Sequence, residues 1–257
     1  MKDKEETNAY TDFAQVYDAL MDNVPYDQWA DGYHRILLEH GIEDGLICDL
    51  ACGSGNMTER LAALGYDMIG VDDAEAMLNI ARSKRHADQI LYLLQDMCEF
   101  ELYGTVRACT LVCDSLNYLL EEQELLALFS HVNNYLDPGG IFLFDFNTRE
   151  KYEHVIGNTA ITENREDISF IWDNYYDTVD GINECELTVF VREAGSSLFR
   201  RFSETHLQRG YEPEQIRTLL TEAGMEVLAC MTMEEAGLPA DAGRYLVVAR
   251  EKGKQNG

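Results

Sequence analysis

Five aspartates of this 257-residue chain, Asp49, Asp72, Asp96, Asp114 and Asp145, each stand at or near the end of a short apolar run. The intervals from 49 to 72 and from 72 to 96 each match one strand-helix unit. A parallel sheet would therefore bring these carboxylates to one edge, the edge where open α/β sheets take ligands. Carboxylates gathered there repel pyrophosphate, attract a cation and accept hydrogen bonds from hydroxyls. The first run leads into "ACGSGNMT", residues 51–58, a turn that holds Gly53 and Gly55. A dinucleotide fingerprint, G-x-G-x-x-G, would place a third glycine where this chain has Thr58. Turn and carboxylates together suit a positively charged, hydroxyl-bearing ligand without phosphate. The plainer alternatives are a tight strand-to-helix turn for the glycines and a helix cap for Asp72.

The elements that must position these residues follow from the hydrophobic pattern. From residue 46, "LICDLA", "DMIGVD", "ILYLLQD", "CTLVCDS" and "GIFLFDF" alternate with amphipathic stretches such as "NMTERLAAL" and "EEQELLALFSHVNNYL". Strand alternating with helix predicts an α/β domain whose parallel sheet is covered on both faces. "LDPGG" at 136–140 ends a helix and turns into the fifth strand. Residues 148 to about 206 change rhythm, with "DISFIWDNYYDTVDGINECELTVFVRE" and "SSLFRRFSETHLQR" reading as a small antiparallel meander. "EPEQIRTLLTEAG" then restores a helix, and "MEVLACMTM" and "RYLVVARE" supply two closing strands. Two amphipathic helices, "YTDFAQVYDALM" and "YDQWADGYHRILLEHG", precede the sheet.

Composition narrows the function classes. Lys and Arg number 20 against 47 Asp and Glu, a net charge of −27 that repels phosphate backbones and makes nucleic acid a disfavoured substrate. The same charge serves solubility or the recruitment of a basic partner. No long apolar run marks the first thirty residues, so neither a signal peptide nor a membrane span is visible and a cytoplasmic location is expected. The seven cysteines contain no CxxC pair and several lie in apolar runs, which predicts buried thiols rather than a metal site or disulfides.

At this point the motifs themselves resemble a known family. "DLACGSGNMTERLAALGYDMIGVDDAEAMLNIAR", "LLQDM" and "LVCDSLNYL" are similar to the successive motifs of class I S-adenosylmethionine-dependent methyltransferases. "YTDFAQVYDALMDNVPYDQW" and "ETHLQRGY" resemble bacterial enzymes of the YqeM type, and the likeness spans roughly residues 10 to 250. The resemblance implies a Rossmann-like sheet, mostly parallel with an antiparallel last strand, and a small antiparallel β insert. Residues 1–147 and 207–257 would bind S-adenosylmethionine, and residues 148–206 would form a substrate lid. It also implies roles. Ala51, Gly53 and Gly55 would approach the methionine part, and Asp49 would hold the loop or the ammonium. Asp72 would accept the ribose hydroxyls, while Asp96 and Met97 would meet the adenine. Cys113 would contact the ammonium through its carbonyl, and Tyr17 would close over the carboxylate. Asp73 stands where the family has an apolar residue beside the adenine.

Methyl transfer from a sulfonium is an in-line displacement that demands alignment and exclusion of water more than any one side chain. If the acceptor must lose a proton, His206 in "ETHLQRGY" is the candidate base, with a structural histidine as its alternative. Asn117 in "DSLNYL" lacks the Asn/Asp-Pro-Pro-aromatic loop of methyltransferases that act on base amino groups. Trp172, Tyr175 and Tyr176 would either roof a small-molecule pocket or form the meander's own core. The acceptor is then a small molecule or a protein side chain. A non-catalytic cofactor-binding assembly factor and a nicotinamide-dependent oxidoreductase stand as the other readings.

Overall fold

The computed structural model describes residues 13–254, so the opening residues of the expected first helix, 10–12, lie outside the described residues. Helices α1 (Ala14–Leu20) and α2 (Tyr26–Glu39) lead into β1 (Leu46–Leu50), α3 (Asn56–Ala63), β2 (Asp67–Asp72), α4 (Glu75–Ala81), β3 (Ile90–Leu94) and β4 (Val106–Leu111). A 3-10 turn (Ser115–Tyr118), α5 (Glu122–Tyr135), β5 (Leu136–Asn147) and the short α6 (Arg149–Lys151) follow. Four strands, β6 (Ala160–Asn164), β7 (Ile168–Asp177), β8 (Ile182–Arg192) and β9 (Phe199–Arg209), precede α7 (Pro213–Glu222), β10 (Met225–Thr232) and β11 (Arg244–Glu251).

The main sheet has the order β10-β11-β5-β4-β1-β2-β3. Strands β1 to β5 run parallel, and β11 runs antiparallel to both β5 and β10. Its strands are apolar on consecutive residues because both faces are covered. Ile47, Ala108 and Leu143 face the α2 side with Tyr33 and Leu37. Their neighbours Cys48, Cys109 and Phe144 face the α5 and α7 side with Leu128, Phe129 and Leu220. Helix α2 buries Trp29, Tyr33, Ile36 and Leu37 at helical spacing. Helix α5 starts on a capping box in which Glu121 and Glu124 satisfy each other's backbone N–H groups. The "LDPGG" turn is a bulge inside β5: pairing with β4 jumps from Val106–Leu136 to Ala108–Ile141.

The second sheet, β6-β7-β8-β9, is antiparallel. It runs to Arg209, three residues past the boundary expected after 206. Its neck is tight: Thr148 bridges Tyr211, and a Cβ on Gly210 would fall 2.6 Å from Arg149 Cα. One face of this sheet buries Cys185, Leu187 and Val189 against Phe13, Val16 and Leu20 of the α1 segment. Helix α1 therefore shares its core with the insert rather than with the sheet domain it precedes in sequence.

Candidate active site

Between β1 and α3 the backbone must turn sharply, and it does so with Ala51, Gly53 and Gly55 at φ of 47°, 55° and 77°. Asp49 anchors the turn from below. Its oxygens accept hydrogen bonds from the hydroxyls of Thr58 at 2.6 Å and Thr110 at 2.7 Å. Burial raises its pKa to about 6, against the two hydroxyls that lower it. Thr58 thus has a purpose of its own: its hydroxyl holds Asp49, as a third glycine could not. Asp72 ties the turn to the end of β2, accepting the N–H of Gly53 at 2.7 Å and of Ala74 at 2.9 Å. Burial lifts it as well to about 6, with Asp73 and Asp49 adding to the rise.

A cavity of about 980 Å³ opens above this turn. Of the ten positions expected to face a cofactor, nine line it: Tyr17, Asp49, Ala51, Gly53, Asp72, Asp73, Asp96, Met97 and Cys113. Gly55 is outside the lining. A Cβ there would fall 2.6 Å from Tyr92 Oη and 3.2 Å from Ala81 Cβ, so this glycine lets α3 pack against β3 and α4. The lining also includes Tyr26, Met77 and Tyr118, which sequence reasoning missed because nothing local ties α2, α4 and the 3-10 turn to one cavity.

The acidic edge lines the cavity only in part. Asp114 and Asp145 do not line the cavity. Asp145 is fully buried inside β5 and accepts the N–H groups of Cys113 at 3.0 Å and Asp114 at 2.8 Å, and the Tyr33 hydroxyl at 3.2 Å. Arg244, itself buried, pairs with Asp114 and lies 3.7 Å from Asp145. Burial raises the pKa of Asp145 against the lowering pull of Arg244. Asp145 holds Cys113 and Asp114 at φ of 62° and 51°, a turn that bulky residues adopt only when neighbours compel it. Even so, the lining carries seven carboxylates, Asp49, Asp72, Asp73, Asp96, Glu99, Glu121 and Glu124, with neither Lys nor Arg among the described residues.

The insert meets this cavity indirectly. His206 is 5% exposed and lies outside the lining, behind Tyr118, whose hydroxyl is 3.2 Å from its Nδ1. Trp172, Tyr175 and Tyr176 form no roof. Trp172 packs with the α1 cluster, Tyr175 is 63% exposed, and Tyr176 is buried against Gly157. What the insert supplies is a seat for α1. Glu204 accepts the Phe13 N–H at 3.0 Å, and Arg165 donates to the Ala19 carbonyl at 2.5 Å and pairs with Asp22 at 2.8 Å. Seated there, α1 presents Tyr17 to the cavity and hooks Asp18 onto Ser54 Oγ at 2.5 Å, Asn56 Nδ2 at 2.9 Å and Lys84 Nζ at 2.8 Å. Burial would raise the Asp18 pKa, but Lys84 and the two hydrogen bonds outweigh it and hold it below the usual value. Asn117 is a staple, not a ligand. Its amide donates to the carbonyls of Asn147 at 2.8 Å and Arg209 at 2.7 Å, joining β5 to the insert.

This geometry has close counterparts. Residues 47–140 match the methyltransferase domain family. A methyltransferase-family protein of Geobacillus sp. is 39% identical over 85% of this chain and 90% of its own length. The protein YqeM of Bacillus subtilis is 37% identical over 85% and 87%. A crystal structure of an S-adenosylmethionine-dependent methyltransferase from Clostridium acetobutylicum superposes with a TM-score of 0.83 at 27% identity, over 96% of this chain and all of that one. More distant relatives are a glycine/sarcosine N-methyltransferase of Parasynechococcus marenigrum, 27% identical over 60% of this chain and 55% of its own length, and an amino-sugar N,N-dimethyltransferase of Streptomyces venezuelae, 30% identical over 52% and 56%. The cavity fits S-adenosylmethionine, which the Clostridium enzyme's name gives: acceptor-only side chains for hydroxyls, amines and a sulfonium, and neither Lys nor Arg among the described lining residues to hold a phosphate. The chain belongs to the YqeM-type family of S-adenosylmethionine-dependent methyltransferases.

Proposed function

We propose that the protein methylates an amine on a small molecule, with both cofactor and acceptor enclosed in the one cavity. The observation that carries this reading is the lining: seven carboxylates and no Lys or Arg among the described residues. Such a wall repels phosphate-rich polymers and draws a cationic amine to the cationic cofactor's side. The volume, about 980 Å³, lies at the upper end of ligand pockets, about 300 to 1,000 Å³, and leaves room for a second small molecule. Support also comes from the two relatives whose names give an N-methylated small molecule. The seven free thiols suit a reducing cytoplasm, and among the described residues no helix is long and apolar enough to cross a membrane.

When bound, S-adenosylmethionine supplies an electrophilic methyl group on its sulfonium. The chain's own residues bind and orient. Asp72, whose two oxygens each keep a lone pair after the Gly53 and Ala74 bonds, accepts the ribose hydroxyls. Asp96, fixed by the Cys98 N–H at 2.7 Å, accepts from the adenine amino group beside Met97 and Asp73. The Cys113 carbonyl takes the ammonium, and Ala51 and Gly53 pass close to the methionine chain over Asp49. Tyr17 closes the carboxylate end. Calorimetric titration with S-adenosylmethionine tests the assignment. Asp72→Ala is expected to lose at least tenfold in affinity, about 1.4 kcal/mol, and unchanged affinity would remove Asp72 from the site.

A further inference from the structure

We infer that Tyr118 is the catalytic residue on the acceptor side, and that its hydroxyl passes the proton of an incoming alkylammonium to the His206–Glu204 pair behind it. The inference rests on the amine reading above. Tyr118 ends the 3-10 turn after β4 and lines the cavity together with Tyr17 and Cys113. Its hydroxyl is 3.2 Å from His206 Nδ1, and His206 Nε2 is 3.7 Å from Glu204 Oε2. Both of these side chains are only 5% exposed, so the described path from imidazole to cavity runs through the phenol. Glu204 is itself fixed, because its other oxygen accepts the Phe13 N–H at 3.0 Å.

The groups that face the imidazole set its state. Glu204 lies on its own strand, Cys185 directly across on β8, Tyr118 on the 3-10 turn and the Phe13 ring 6.3 Å away. Two residues further along the same strand, Gln208 donates to Asp114 at 3.0 Å. Burial lowers the pKa of His206 and Glu204 raises it. The ring is therefore neutral at pH 7, with the Nδ1 lone pair toward the phenol when Nε2 carries the hydrogen. The deep carboxylates of the cavity are committed elsewhere: Asp49 to two threonine hydroxyls and Asp72 to two backbone N–H groups.

The steps balance. The alkylammonium gives one proton to the Tyr118 oxygen as the phenol's own hydrogen moves to His206 Nδ1. That leaves a neutral amine, a neutral phenol and an imidazolium beside Glu204. The amine lone pair then forms the N–C bond while the C–S bond breaks, its electron pair staying on sulfur and the positive charge passing to the alkylated nitrogen. The product leaves as an ammonium, and the imidazolium proton passes back through the phenol to the water that replaces it in the cavity.

The test uses the full chain with S-adenosylmethionine and a panel of glycine, ethanolamine and glucosamine, beside glycolate, ethylene glycol and glucose. Release of S-adenosylhomocysteine is measured from pH 6 to 10. The wild type is expected to methylate an amine and none of the hydroxyl counterparts. Tyr118→Phe is expected to lose about a hundredfold in kcat/KM at pH 7 while binding the cofactor within twofold of wild type. That loss should shrink as the pH nears the alkylamine pKa of about 10, where solution delivers the neutral amine. His206→Gln should follow the same profile. A Tyr118→Phe loss equal at every pH, or none, overturns the inference while the amine reading stands. Methylation of no amine, or of the hydroxyl counterparts instead, removes the amine reading and the inference with it.

Discussion

At the scale of single residues, the site is governed by what each carboxylate already holds. Asp72 fixes Gly53 and Ala74 before any ligand arrives, so its geometry is set in advance, and the ribose proposed to bind there would meet a carboxylate that need not reorganise. Asp72→Asn keeps the shape but turns one acceptor into a donor that faces an N–H. It is expected to weaken cofactor binding nearly as much as Asp72→Ala, a comparison that calorimetry makes directly. Gly55 shows the opposite logic. With φ of 77° and a Cβ position 2.6 Å from Tyr92 Oη, Gly55→Ala should cost about 2 kcal/mol through the left-handed backbone alone. The cost should appear as a drop of several degrees in melting temperature, deepened by the clash with Tyr92 Oη, and adding Tyr92→Phe should recover only the share due to that clash. The glycine pattern and the register of aspartates were legible in the sequence. The split between cavity-facing Asp72 and core-facing Asp145 was not, because it depends on Arg244, a hundred residues away in the chain.

Among the elements, α1 links what the chain keeps apart. It is seated on the insert by Leu187 and Val189, clipped by Arg165 and Glu204, and hooked by Asp18 to the glycine turn. Leu187→Ala, in a side chain with no place in the cavity lining, is therefore expected to destabilise this unit by about 3 kcal/mol and to weaken cofactor binding as well. Urea unfolding followed together with cofactor titration would read both, and a loss of stability with unchanged affinity would sink the link. The strands β1, β2, β4 and β5 were readable because a strand buried on both faces leaves a continuous apolar run. The seat of α1 left no such local trace: a contact between residues 13–20 and 185–189 has no period within either segment. His206 was recognisable by type and by its place near the neck, yet its distance from the cavity depends on the intervening ring of Tyr118.

For the whole molecule, charge couples stability to occupancy. The chain carries −27, and burial lifts Asp49 and Asp72 to about 6. Between their unfolded value near 4 and that raised value, the native state keeps protons that the unfolded chain has released. The ligand-free protein should therefore become less stable as pH rises from about 4 to 7. Cofactor binding runs the other way, since a cation prefers the ionised pair, and affinity should fall as pH drops through 6. Melting curves with and without S-adenosylmethionine at pH 5 and 7 check both signs: a ligand-free midpoint higher at pH 7 than at pH 5 would contradict the first, and a larger cofactor-induced shift at pH 5 than at pH 7 the second.

The neck of the insert sets what a designer or a recombination event can do with this chain. Thr148 and Tyr211 are bridged and Gly210 touches Arg149, so the excursion between them begins and ends at one spot. Cutting it out and joining the ends would leave every strand of the seven-stranded sheet in register. It would also leave α1 without a seat, and with it Tyr17 and the Asp18 hook. The insert can be exchanged in a single piece only if the first helix is exchanged along with it: two stretches of chain, far apart in the reading frame, behave as one heritable part.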